Sequence, residues 1–302
     1  MVEGWKMRQT RIPARIFAAL LSLGLTTFSL PFSSSGSGEQ IALEQLLEKS
    51  AAYCERVKNI ALFYVCKERI TDREVRFRMS SSVDLDPYGD PEQLSTVTVL
   101  EPLQIQKRSY LYDYQLVNQD DNLMEQRVLL RENSAAREVK DAELKVPLVA
   151  KYVIYGAVGF LSSYWQNLLQ YELMGEDSVS GMPAVIIAAV PKPENTDNRN
   201  HARIWVHAED GSILKIEWSP ESIGSYGANQ KLIQAKDIQR YISWKVTYGI
   251  EKNGIRFPSN QHVQDFFYNT GEKRKYVRQD IVYIYTGYKF FVVETEIRSE
   301  SL

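Results

Sequence analysis

Ala202-Arg203-Ile204-Trp205-Val206-His207, then Ala208-Glu209-Asp210-Gly211, then Ser212-Ile213-Leu214-Lys215-Ile216-Glu217-Trp218 is the stretch that decides the fold. Two short apolar runs flank a turn ending in Asp-Gly. That pattern is a β-hairpin signal, because Asp-Gly supplies the left-handed backbone that a tight turn needs. Working outward, the same grammar recurs. Gly181-Met182-Pro183 leads into the continuous apolar run Ala184 to Val190. Tyr241 to Ile250 and Ile255 to Tyr268 flank Lys252-Asn253-Gly254. Asn269-Thr270-Gly271 turns the chain into Lys273 to Tyr285, and Phe290 to Ile297 follows. Pro258 fits a bulge or a strand edge.

Towards the amino terminus the alternation continues. Val75, Phe77 and Met79 alternate with Arg76 and Arg78, and Tyr110, Tyr112, Tyr114 and Leu116 share one face of their strand. The period of two marks half-buried strands. Ile60 to Ile70, Leu94 to Leu100 and Leu123 to Arg131 are further strand segments, and Asp86 to Pro91 reads as a turn. Strands joined by tight turns cannot pair in parallel. The predicted class is therefore α+β and mainly antiparallel β, with ten to twelve strands in one strongly curved sheet, a half-barrel covered by helices.

Two helical intervals are available as cover. Glu39 to Val57 places Leu43, Leu46, Leu47, Ser50, Cys54 and Val57 on one face. Leu148 to Leu169 follows Pro147 and is rich in aromatic residues, with Gly156 and Gly159 breaking its middle into two short helices or a kinked one. A curved sheet with one face unpaired must bury that face under helices.

The chain begins with Lys6, Arg8, Arg11 and Arg15, an apolar run from Ile16 to Phe32, and Ser33-Ser34-Ser35-Gly36-Ser37-Gly38. A basic start, a short apolar core and a small-residue exit read as a secretory signal. Residues 1–38 are assigned as signal peptide and linker, and residues 39–302 as a single domain. Export to the periplasm or cell envelope follows. The chain carries 36 Lys+Arg and 38 Asp+Glu, and removing four basic residues and Glu3 leaves 32 against 37. A mildly acidic, mixed surface argues against a nucleic-acid partner. The cluster Lys273-Arg274-Lys275 with Arg278 reads as a solvated strand face. Membrane association is expected to be transient, or to pass through an uncleaved leader. The two cysteines, Cys54 and Cys66, are expected to form one disulfide in an oxidising compartment.

No motif supplies catalysis. His201, His207 and His262 have no metal-ligand spacing. Asp84, Asp86 and Asp90 lack the calcium-loop pattern. Neither G-x-S-x-G nor a glycine-rich phosphate loop occurs. No cofactor, no metal and no enzyme activity are expected. The aromatic residues are the functional clue. Tyr152, Tyr155, Phe160, Tyr164 and Trp165 on the second helical interval, with Trp205 and Trp218 on strands, are the candidate pocket for a hydrophobic ligand.

Gly181 to Ile187, the hairpin from Ala202 to Ile216, and Asn253-Gly254-Ile255-Arg256-Phe257-Pro258-Ser259 resemble the LolA/LolB/RseB-like superfamily of bacterial periplasmic lipoprotein carriers. The resemblance implies an unclosed β-barrel capped by helices, with lipid acyl chains or a lipoprotein held in its concavity. It implies, as alternatives, an envelope protein-interaction or stress-sensing module of the same fold with a protein partner. A secreted hydrolase is the remaining alternative.

Overall fold

The computed structural model describes residues 37–84, 95–119, 122–148, 152–195, 201–219, 222 and 238–290. The leader up to residue 36, the Asp86 to Pro91 turn, most of the Pro220 to Asp237 segment and the chain after Phe290 lie outside the described residues.

Helix α1 runs Ser37–Ile60 and passes through a single 3-10 turn, Ala61–Phe63, into β1, Tyr64–Asp84. Then come β2 (Ser95–Gln119), β3 (Asn122–Glu132) and β4 (Ala135–Val139). The second helical interval is broken, as its glycines require. It consists of a 3-10 turn at Val153–Tyr155, α2 (Val158–Leu161) and α3 (Ser163–Leu168). The meander follows as β5 (Leu169–Val179), β6 (Met182–Pro191), β7 (Ala202–His207), β8 (Ile213–Trp218) and β9 (Ile238–Thr247). After these come β10 (Ile250–Lys252), β11 (Ile255–Phe257), β12 (Asn260–Asn269) and β13 (Arg274–Phe290).

Among the described residues eleven strands form one antiparallel sheet in the order β4-β3-β2-β1-β13-β12-β9-β8-β7-β6-β5, and β10 pairs with β11 in a separate ribbon. The sheet is curved and does not close. Bulges contribute to the bend, since each extra residue kinks its strand. One lies between the Arg76–Gln104 and Phe77–Pro102 pairs, where Leu103 is the extra residue, and another at Met174 in β5. Three expected boundaries shift. The two segments between Ile60 and Ser81 are one strand, β1, and the two between Leu94 and Val117 are one strand, β2. The expected Ile255 to Tyr268 strand divides at Pro258-Ser259, because proline has no N–H to continue a ladder. The short exposed strand β4 has no apolar alternation, and the sequence reading missed it.

Register explains the apolar layer. Tyr110, Ile70, Tyr283, Gln261, Val246, Ile216, Ile204, Ile187 and Leu173 are successive cross-strand partners from β2 to β5. Because side chains alternate across a strand, partners share a face, and this row is the floor of the hollow. Helix α1 packs Leu46, Tyr53, Cys54 and Val57 onto that layer together with Ile154, Phe160 and Leu161 from the broken interval. Each buried leucine- or phenylalanine-sized side chain contributes about 1.5–3 kcal/mol relative to exposure. The helical cover is therefore held largely by its apolar underside.

The cysteines correct an expectation. Both are buried free thiols, not a disulfide. Cys54 Sγ faces the carbonyl of Ala157 at 3.5 Å, whereas Cys66 lies beside Tyr288. The helix and the strand present their sulfurs to different neighbours, so packing rather than a bridge joins them. Burial pushes both thiols up to about 12.

Two glycines fix the cover by close approach. A Cβ on Gly211, at φ +70°, would lie 2.6 Å from the Lys49 carbonyl carbon and the Ser50 nitrogen, so the β7–β8 turn abuts the α1 backbone. A Cβ on Gly156 would collide with the Tyr248 hydroxyl.

Candidate functional site

Tyrosine hydroxyls tie the cover to the sheet and the two helical parts of the cover to each other. Tyr248 Oη donates to the Val153 carbonyl at 2.8 Å, and Tyr283 Oη donates to the Leu148 carbonyl at 3.2 Å. Tyr155 Oη donates to the Lys58 carbonyl and Tyr152 Oη to the Leu123 carbonyl, each at 3.0 Å. Tyr171 Oη donates to the carbonyl of Phe160. A tyrosine fills the hollow with its ring and satisfies a main-chain carbonyl with its tip. This is one structural use of the chain's 18 tyrosines.

Beneath the cover lies a buried charge network. Glu68 on β1 is fully buried and accepts from Arg127 Nε at 2.7 Å and Nη2 at 3.3 Å. Arg127 Nη1 reaches Glu125 Oε2 at 3.1 Å, and its guanidinium lies 4.4 Å from the Tyr114 ring centroid. Glu125 Oε1 accepts from Tyr114 Oη and from the Tyr152 backbone N–H, both at 2.7 Å. Burial pushes the Glu68 carboxyl above its ordinary value, and the Arg127 guanidinium opposes that rise. The network thus links β1, β2 and β3 to the start of the cover.

The structure separates the aromatic residues that the sequence grouped. Phe160 and Trp218 meet at 6.0 Å, and Trp218 stacks on Trp244 at 3.9 Å. Tyr164 and Trp165 meet edge-on at 5.4 Å; Tyr164 is 65% exposed, whereas Trp165 is half-buried against the main apolar layer. Tyr152 and Tyr155 are half-buried anchors. Trp205 stands apart from all of them. It alternates with Ile204 and Val206, which belong to the hollow, so its ring lies on the opposite face with Leu214, Ala184 and Val179. There its Nε1 donates to Asp177 Oδ2 at 2.8 Å, and Lys215 Nζ sits 3.9 Å over the ring.

Among the described residues, an open groove of about 630 Å³ lies between the first half of α1 and the β5–β6 edge. Leu46, Leu173, Met174 and Val185 supply its apolar lining, and Lys49 and Glu176 its charged groups. Its volume falls within the range of small-ligand pockets, about 300–1,000 Å³. The sequence reading missed this groove. Its local signal was Gly175 within a strand pattern, a mark of a bulge, and the bulge does fall there. Among the described residues no group of three metal-ligating side chains converges, and no helix is long and apolar enough to cross a membrane.

No family model matches the chain, and no curated protein matches it. Solved structures do. A DUF1329 family protein from Desulfovibrio piger is 11% identical, with 84% of this chain and 95% of that chain covered at a TM-score of 0.34. A LolA superfamily protein from Nitrosomonas europaea is 10% identical, with 83% and 94% covered at 0.30. A chain of the Pseudomonas aeruginosa MucA/MucB complex is 11% identical, with 85% and 100% covered at 0.22. The superpositions are loose, and the functional reading stands on this chain's own residues.

Proposed function

We propose that the protein is an exported binding protein, one half-barrel unit that holds the apolar part of a lipid or an acylated polypeptide between its sheet and its helical cover. The groove beside α1 is the mouth. Phe160, Trp218, Tyr155 and Trp165 stand on other elements (α2, β8, the 3-10 turn and α3) and form the inner wall, in or against the same apolar layer. A single observation carries this reading: Leu46, Leu173 and Val185 line the groove and also pack with the main apolar layer. The open space is therefore continuous with the greasy interior, and a chain entering it meets apolar surface. Uptake is reversible and involves no covalent step.

The test is binding of a soluble long-chain fatty acid by calorimetry, with native mass spectrometry for stoichiometry. One chain is expected to take up one acyl chain. Leu173→Trp, which fills the groove, is expected to weaken binding about tenfold. Absence of saturable binding, or an unchanged affinity in the variant, would remove the reading. A protein-interaction role in the envelope is the second reading, favoured by one feature. Strand β5 is the terminal strand of the sheet and borders the groove, so an extended polypeptide has both a backbone edge and an apolar trough to occupy.

A further inference from the structure

Strand β5 carries Glu172, Glu176 and Asp177, and it holds no lysine, arginine or proline. Lysine and proline are the residues that ordinarily blunt the outer edge of a sheet. Part of the β5 main chain points outward. Pro191 has no N–H, and the Lys192 N–H donates to the Leu168 carbonyl at 3.0 Å, so Leu168 and Lys192 are a bonded pair whereas Leu169 and Pro191 are not. Bonded and unbonded pairs alternate along an antiparallel ladder. The pairs Tyr171–Ala189 and Leu173–Ile187 are therefore unbonded too, and Tyr171 and Leu173 turn their N–H and C=O groups away from β6. Because β5 ends the sheet, these groups meet no main-chain partner among the described residues. The free edge is short. Trp165 already takes the Leu169 N–H, Asp177 Oδ1 takes the Ser178 N–H at 2.7 Å, and the bulge at Met174 interrupts the ladder.

Side chains on this edge define what it can pair with. Leu173 ends the apolar cross-strand row and lines the groove with Leu46 and Val185. In a strand laid along the edge, the side chains opposite Tyr171 and Leu173 share that apolar face, and the side chain between them stands opposite Glu172 on the other face. Glu172 and Glu176 are exposed, and neither has an ion-pair partner among the described residues. The neighbouring cations are engaged elsewhere. Lys49 Nζ donates to the Ala208 carbonyl at 3.3 Å, and Lys192 Nζ to the Asn167 carbonyl at 2.8 Å. A second copy pairing through β5 sets carboxylates against carboxylates, and like charges opposed across strands are destabilising. A segment with a cation between two apolar residues satisfies the edge, the groove and the acids together.

We infer that the β5 edge takes up an extended polypeptide carrying lysine or arginine between two apolar residues, with the apolar side chains entering the groove beside Leu173 and the cation meeting Glu172. Glu176 receives a flanking cation. The inference rests on the second reading above, a polypeptide partner, and supplies that partner's chemistry. The experiment adds to the full chain a short capped peptide of alternating valine and lysine, or its counterpart with glutamate in place of lysine. The lysine peptide is expected to bind about tenfold more tightly and to slow amide exchange at Tyr171 and Leu173, read by NMR. Reversing both exposed carboxylates, Glu172→Lys with Glu176→Lys, is expected to invert the preference while the glutamate peptide protects the same two amides. Equal affinity for the two peptides, with both amides protected, would overturn the charge selection and leave the polypeptide reading in place. Amides of Tyr171 and Leu173 that are slow without peptide, or fast with it, would overturn the inference together with that reading. Fatty-acid binding by the parent chain reports on the groove separately.

Discussion

Replacing Arg127 by methionine tests the buried network under the cover. The guanidinium is 7% exposed and faces the fully buried Glu68, so methionine retains the bulk of the stem and removes the charge. Breaking a buried ion pair from one side costs about 3–5 kcal/mol, because the remaining charge has no compensation. Glu125 also loses Arg127, so its hold on the Tyr152 N–H weakens. The loss must depend on pH. The Glu68 carboxyl already lies above its ordinary value through burial, with Arg127 opposing the rise. A carboxyl raised in the folded state favours folding most at low pH, and that contribution is lost as pH rises through the folded value. Removing Arg127 raises the folded value further. The stability gap between variant and parent therefore opens as pH climbs above the parent's Glu68 value, at about 1.4 kcal/mol per unit, until the variant's higher value is passed. Denaturant unfolding is expected to give a loss that is smallest at about pH 4 and grows as pH rises towards about 8. Adding Glu68→Leu removes the stranded charge and is expected to recover at least about 2 kcal/mol and flatten the pH dependence. A variant as stable as its parent at pH 7, or a loss independent of pH, would refute this account of Glu68.

Three other outcomes are expected. Gly211→Ala forces a Cβ into the α1 backbone at a positive φ, and is expected to lower stability by about 1–3 kcal/mol in thermal unfolding. Neither thiol is expected to react with a thiol reagent in the native chain at pH 8, and both after unfolding without reductant, as counted by intact mass; a chain that gains no label on unfolding holds the bridge instead. Tyr248→Phe removes the hydroxyl that holds the Val153 carbonyl, and is expected to cost about 1–2 kcal/mol and to speed hydrogen exchange at residues 153–157 before the rest of the sheet.

Much of the scaffold was legible locally. The Asp210-Gly211 and Asn253-Gly254 turns, the alternation in Tyr110 to Leu116 and the apolar face of α1 are short-range patterns with one physical meaning each. The position of Trp205 was legible too. It alternates with Ile204 and Val206, and a strand puts such neighbours on opposite faces, but a run of three buried residues conceals the alternation. The pairing of Glu68 with Arg127 spans 59 residues, and no local pattern encodes it. The same holds for the groove, whose two walls are the start of α1 and a bulge in β5.

What the sequence determined by itself is an antiparallel meander with a helical cover broken in its aromatic part, because turn chemistry and side-chain period act over a few residues. The tertiary structure alone decided that the two cysteines face different neighbours, which carboxylate the buried arginine meets, and where the hollow stays open. These depend on how an eleven-stranded sheet bends and on the side chains that its register brings opposite one another.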